Sequence, residues 1–402
     1  MFRGHAKGLR TAMTYDALVI GGGPSGATAA LLLARAGWNV VLAEKTAYPR
    51  PKVCGEFISA TSLPLLREIG LDEEFLAAAG PPVRRVGIFA RDAMVTAAMP
   101  RVRGPLCEWG HALGREHLDL MLLRAAARSG AAVLQPCEVA ELRRTRQGFV
   151  CTLAARQATK QLATHLVIAA NGSWQPAPYQ IPATPHRPSD LLAFKAHFRA
   201  SDLPADLMPL FAFPGGYGGI VHSDDGRVSL SCCIRRDTLQ LCRRDCETRP
   251  AAAVVLQHIE VACLGVRRVL RRANLEGAWL AAGPIRPGIR PCYADGIFRI
   301  GNAAGEAHPV IAEGISMALQ SAWLLCRHLT AGHSQDEVAR RYQAEWKATF
   351  APRIYAAALF ACLAMQPSAV AAVLPLLRAF PRILALGARL SGKTTEIVAA
   401  TR

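Results

Sequence analysis

The sequence predicts an α/β fold: a doubly wound domain of parallel strands, an inserted antiparallel-sheet domain and a helical C-terminal segment. Three observations predict it. Residues 15–45 run from an apolar stretch through a glycine-rich turn and an alanine- and leucine-rich helix to a second apolar stretch ending in an acid. Residues 297–300 feed another glycine turn, Gly301-Asn302-Ala303-Ala304-Gly305, ahead of a long helical pattern. Between them, residues 137–170 and 191–235 alternate with the period of antiparallel strands. At 402 residues, two lobes are expected rather than one core.

The elements follow in order. Ala17-Leu18-Val19-Ile20 reads as a buried strand. Gly21 permits the tight turn out of it, and Gly23, lacking a Cβ, leaves room for a phosphate. Pro24 and Ser25 open a helix whose free N–H groups and dipole favour an anion. Gly26 lets that helix pack close to the sheet. Residues 39–43 form the second strand, and Glu44 at its tip, with Lys45 beside it, stands where a carboxylate accepts hydrogen bonds from a ribose. This is a Rossmann-like dinucleotide fingerprint with its strand, helix and acid in place.

Residues 48–57 are a loop that opens a helix at 59–69. Residues 83–107 read as strands and turns. A helix at 115–129 stops at Gly130, and Ala132-Val133-Leu134 is the next strand. The meander at 137–170 ends in a buried parallel strand, 166–170. Residues 176–190 carry five prolines and read as a linker. Strands at 191–235 surround Pro214-Gly215-Gly216-Tyr217-Gly218-Gly219. A helical pair fills 236–272, strands return at 279–300, and a helix spans 314–328. Two or three apolar helices occupy 355–390. Pro367, Pro375, Pro381 and Arg378 argue against a membrane span there. Packing on the core is expected, and peripheral membrane contact stays open.

The expected organisation has residues 1–13 as a disordered extension. Residues 14–80, 110–175 and 280–330 make a discontinuous nucleotide domain. Residues 81–109 and 176–279 make the inserted substrate domain, and 331–402 the C-terminal helices.

The formal net charge is +17, but the arginines are scattered, and no basic run interleaves with aromatics. Nucleic-acid binding is therefore excluded from the reading. A basic face suits anionic lipid, an acidic carrier protein or a phosphorylated cofactor; a merely solvated arginine-rich surface is the plainer account. Twelve cysteines include no CxxC pair, so no metal site is expected and buried free thiols are. The basic first twelve residues precede no apolar run, which points to a cytoplasmic location, with membrane association open.

These separated motifs resemble the FAD-dependent oxidoreductases of the aromatic-hydroxylase-like superfamily, within it most closely the geranylgeranyl reductase and flavin-dependent halogenase branch. The resemblance covers about residues 15–330 and implies a Rossmann-like FAD-binding domain of the GR2 type. The second turn, Gly301-Asn302-Ala303-Ala304-Gly305, followed by Pro309, Gly314 and Ile315, resembles the family's GDAA-type segment. It implies contact with the ribityl chain and the flavin pyrimidine edge. Asn302 stands where the family usually has Asp. Arg115 with Asp119 resembles an RxxLD signature in which the arginine reaches toward FAD; a surface ion pair is the alternative.

Ala170-Asn171-Gly172 departs from the Asp-Gly motif of aromatic hydroxylases. The loop at 50–57 resembles the reductases' Cys-Gly segment and implies Cys54 near the flavin. Phe211-Ala212-Phe213-Pro214 partly resembles their lipid-tunnel signature. No Trp-x-Trp-x-Ile-Pro halogenase motif is found; Lys52 reads as a surface lysine, with resemblance to the halogenase lysine as the alternative.

The resemblance implies FAD as cofactor and NAD(P)H as a transient electron donor. It implies reduction of a C=C bond in a hydrophobic or carrier-bound small molecule, with Cys54, Glu56 and His308 as candidate proton donors. A monooxygenase or halogenase, and an FAD electron-relay protein without catalysis, are the alternatives.

Overall fold

The computed structural model describes residues 14–102, 109–155, 158–172, 185–244 and 248–393. The expected extension at 1–13 and most of the expected linker lie outside the described residues. The chain starts with β1 (Thr14–Ile20), α1 (Pro24–Arg35) and β2 (Val40–Ala43). Next come β3 (Phe57–Ile58), α2 (Leu63–Glu68), α3 (Asp72–Ala78), β4 (Arg85–Ala90), β5 (Ala93–Ala98) and β6 (His111–Ala112). α4 (Arg115–Arg128) and β7 (Ala132–Leu134) lead into the meander of β8 (Glu138–Thr145), β9 (Gly148–Ala155) and β10 (Ala158–Ala169).

The inserted region holds β11 (Leu191–Arg199), β12 (Leu207–Phe213), β13 (Gly216–His222) and β14 (Val228–Arg235). Then come α5 (Arg236–Arg243), α6 (Ala251–Ala262), α7 (Leu264–Leu270) and β15 (Asn274–Ile285). Three helices thus stand where a pair is expected: Cys263 takes extended backbone and breaks the run between α6 and α7. The short strands β16 (Gly288–Ile289), β17 (Tyr293–Ala294), β18 (Ile297–Arg299) and β19 (Gly305–Glu306) precede α8 (Gly314–Leu329). α9 (Gln335–Met365), α10 (Pro367–Ala379) and α11 (Ile383–Leu390) end the described chain.

Two sheets organise these elements. The first has the order β17-β18-β10-β1-β2-β7, with β9 and β8 attached through β10. β1 lies parallel to both β2 and β10, in the register Val19↔Leu42 and Val19↔Ile168. Its central residues Ala17, Leu18 and Val19 are fully buried, which explains a continuous apolar run rather than an alternating one. α1, α4 and α8 cover one face of this sheet. Fully burying a leucine such as Leu31 or Leu319 is worth about 1.5–3 kcal/mol.

The second sheet has the order β15-β11-β14-β13-β12-β4-β5. Its strands alternate. Phe194, Phe211, Phe213 and Leu230 point outward onto α5, α6 and α7. Ala193, Tyr217 and Cys233 point inward, toward the first domain and α9. β15 belongs wholly to this sheet, so the inserted unit extends to Ile285, past the boundary expected at 279.

Candidate cofactor and substrate site

The first glycine turn has the local geometry its sequence demands. Gly21 has φ +106°, and a Cβ there would lie 2.6 Å from the Ala170 carbonyl oxygen. At Gly26 a Cβ would lie 1.9 Å from the Gly21 carbonyl oxygen, so α1 reaches the turn only because this residue is glycine. Gly23 differs: its Cβ position is open, with the Arg115 guanidinium as its near neighbour at 3.8 Å. Pro24 begins α1, and Gly23, Pro24 and Ser25 line a cavity. Glu44 is buried, and its carboxylate accepts from the Gly22 N–H at 2.8 Å and the Thr46 N–H at 2.9 Å. Neither Glu44 nor Lys45 lines that cavity; both follow the end of β2, and Lys45 is exposed.

The second turn meets the first. Gly301 has φ +58°, and a Cβ there would sit 2.6 Å from Ser25 Oγ. The Gly301 N–H donates to Ser321 Oγ on α8 at 2.8 Å. Two corners 280 residues apart in the chain therefore touch. Asn302, Pro309, Gly314 and Ile315 line the same cavity. Gly314 opens α8 with no heavy atom near its Cβ position, leaving that helix N-terminus accessible. Ala303 is buried beneath the turn. Gly305 plays a packing part: a Cβ there would lie 2.4 Å from the Trp346 ring.

Arg115 is not a surface residue. It is buried and grips Asp119 through two bonds of 2.8 and 2.7 Å. Burial works against its charge, but Asp119 outweighs burial and holds the guanidinium charged, beside Gly23. Lys52 is not a surface lysine either. It lines the cavity, and burial, reinforced by the Arg115 charge, pulls its pKa down to about 8. Among the described residues its ammonium has no hydrogen-bond partner.

The candidate proton donors separate. Cys54 lines the cavity, and its sulfur accepts from the Glu56 N–H at 3.4 Å. Glu56 is buried between Lys195, which donates to one carboxylate oxygen, and His197, whose Nε2 lies 2.9 Å from the other. Burial alone would raise the Glu56 pKa; the hydrogen bond from His197 and the charge of Lys195 overcome it and hold it at about 2. Glu56 is thus a carboxylate at neutral pH and does not donate a proton, which corrects its expected role. His308 is half-buried, and burial lowers its pKa to about 4, so its imidazole is neutral. Its Nδ1 lies 3.1 Å from the Tyr217 hydroxyl, which burial holds protonated. When Tyr217 donates to Nδ1, Nε2 carries the hydrogen. Tyr217, also on the cavity wall, went unnoticed in the sequence because only the three-dimensional pairing with His308 distinguishes it.

Phe211 and Phe213 correct another expectation. Both are buried on the outer face of the second sheet, stacked at 6.0 Å and packed under α5, α6 and α7, not in the cavity. The apolar wall comes instead from inward positions and neighbours such as Met208, Leu210 and Val221.

Two glycine turns, a buried acid at the second strand and two cations beside the first turn define a flavoprotein of the dinucleotide-binding class. The chain belongs to the FAD-binding domain family, which matches residues 14–354. It is an FAD-dependent oxidoreductase. It is 27% identical over 353 residues to digeranylgeranylglycerophospholipid reductase 2 of Methanothermobacter thermautotrophicus, covering 83% of this chain and 84% of that protein. The fold matches a myxobacterial chondrochloren halogenase with TM-score 0.77 and 20% identity, over 94% of this chain and 91% of that one. It also matches a geranylgeranyl bacteriochlorophyll reductase-like protein of Thermoplasma acidophilum, with TM-score 0.66 and 18% identity, over 86% and 85% of the two chains.

The residues present fit FAD. Gly23, the α1 N-terminus, Arg115 and Lys52 would hold the diphosphate, and Glu44 the adenosine ribose. Asn302 would hold the ribityl chain. The α8 N-terminus at Gly314 and Ile315 would face the flavin pyrimidine edge.

Proposed function

We propose that the enzyme reduces a C=C bond in a hydrophobic or carrier-bound small molecule, with NAD(P)H as the transient electron donor. Bound FAD supplies a hydride from N5 once reduced. The residues supply the rest. The inner sheet face at Met208, Leu210 and Val221 holds the substrate's apolar portion and excludes water. Cys54 delivers a proton to the carbon beside the one that takes the hydride, so that one C–H bond forms at each carbon, and solvent reprotonates the thiolate after turnover. Tyr217 donates to Nδ1 and so keeps the hydrogen of neutral His308 on Nε2, from which the imidazole donates a hydrogen bond to a polar group of the substrate. Glu56 keeps its charge throughout and fixes the Cys54 loop against β11.

The observation that carries this reading is that Cys54 and the Tyr217–His308 pair line the same cavity as the second glycine turn and the apolar sheet face. Likeness along most of the chain to a reductase supports the choice of reaction. The test is anaerobic. The flavin is reduced in the holoenzyme and mixed with a geranylgeranyl-bearing lipid as probe. Return of the oxidised flavin spectrum without oxygen, with a product two hydrogens heavier, is expected. Reoxidation only on admitting oxygen, with an oxygenated or halogenated product, would replace this reading with a monooxygenase or halogenase.

A further inference from the structure

We propose that the outer face of α9, α10 and α11 docks on an anionic lipid surface, so that the helical layer roofing the cavity lies against the membrane. The sequence from Glu345 to Glu396 contains no acidic residue between those two, while it carries six basic ones. The second half of α9 presents Tyr355, Leu359 and Leu363 to the outside, spaced by single helical turns; Tyr355 is 67% exposed and Leu359 59%. α10 does the same with Val373 and Leu376, continued by Phe380 just past its end, and α11 with Leu386 and Leu390. An ordinary solvated surface scatters such side chains singly rather than repeating them over three successive helices.

The opposite sides of these helices are packed. Ala357 and Ala361 of α9 bury against Tyr217 and Ile311. Leu374, Leu377 and Leu384 bury against Met208, Val221 and Ala312, three residues that line the cavity. One helix thickness therefore separates the substrate cavity from the exposed apolar face. Lys393 fixes the end of this layer by donating to Glu313 and to the Ile311 carbonyl oxygen, both at 2.8 Å.

Charge selects the occupant. Arg378 pairs with Asp92, while Arg382 and Arg389 are exposed and have no ion pair among the described residues. A second copy would bring these arginines, and a chain of net charge +17, against themselves. An anionic headgroup layer satisfies both features: acyl chains take the leucines and Phe380, and phosphates take the arginines. α9 is long and apolar enough to cross a bilayer, but its first half is held in the core by Tyr342, Trp346 and Phe350, so it lies along the surface.

The inference rests on the proposed function only for the apolar nature of the substrate. Flotation of the FAD-loaded full chain reads the surface, whereas anaerobic turnover reads the reaction, so either fails separately. The wild type is expected to float with vesicles of phosphatidylcholine mixed with phosphatidylglycerol and to bind phosphatidylcholine alone far less. Arg382→Gln with Arg389→Gln should weaken binding to the mixed vesicles roughly tenfold or more. Leu376→Glu with Phe380→Glu should abolish flotation while the bound-flavin spectrum is kept. Absence of flotation with both vesicles would overturn the proposal. So would a stable dimer in light scattering that the same glutamates dissolve, since the face would then belong to a second copy.

Discussion

Glu56 holds a left-handed backbone at φ 63°, which costs an L residue about 1–2 kcal/mol that a glycine would not lose. Its side chain offsets this through Lys195 and His197, 139 and 141 residues further along. Glu56→Gln should therefore destabilise the fold by about 3–5 kcal/mol, read from chemical unfolding, because it leaves the Lys195 ammonium buried without its partner charge. Because the folded pKa is depressed to about 2, the carboxylate's stabilisation is present above its unfolded value and lost as pH falls toward 2. Acid unfolding of the Gln variant should lack that component.

Lys52 carries the opposite sign. Its free-state pKa of about 8 should rise when a diphosphate enters, so FAD binding takes up a proton and weakens as pH climbs above 8. Lys52→Met should weaken FAD binding about tenfold at neutral pH and flatten that dependence, in a flavin-fluorescence titration. Sequence showed Cys54 and Glu56 through their local motif. The burial of Lys52 and the partners on β11 depend on contacts far apart in the chain and left no local signal.

At the scale of elements, the glycines that mattered were readable where they serve a βαβ turn, since steric need and ligand access share one spacing there. Gly26→Ala places a Cβ onto the Gly21 carbonyl, and Gly301→Ala combines φ +58° with a clash at Ser25. Each variant should lower the melting temperature and purify with less flavin, measured by absorbance after heat release; retention of full flavin by both would remove the two-turn clasp. Other elements were legible in type but not in facing. β12 alternates cleanly, yet alternation does not say which side meets the ligand, and Phe211 and Phe213 took the outer one. α9 continues through Pro352 as a 31-residue helix because Trp346, Phe350 and Ile354 anchor it on both sides of the proline. The Tyr217 and His308 pairing makes a kinetic prediction at this scale. Tyr217→Phe should slow turnover about tenfold to a hundredfold while leaving FAD affinity unchanged, measured as steady-state rate against flavin titration.

For the whole molecule, Lys393 closes the C-terminal helices onto the core. It meets the buried Glu313 at the head of α8 and lies 4.8 Å from the Phe57 ring, tying the C-terminal helices to the second cofactor turn and to β3. Lys393→Met should destabilise the protein by about 3–5 kcal/mol, and adding Glu313→Gln should recover much of it, read from thermal melts. The central claim is that FAD lies between the turns at Gly21–Gly26 and Gly301–Ile315, joined at Ser25. Its most direct test is the visible spectrum and flavin content of the purified protein, with and without added FAD. One tightly held FAD per chain is expected, released by denaturation as intact FAD. A colourless protein that takes up no FAD would contradict the account.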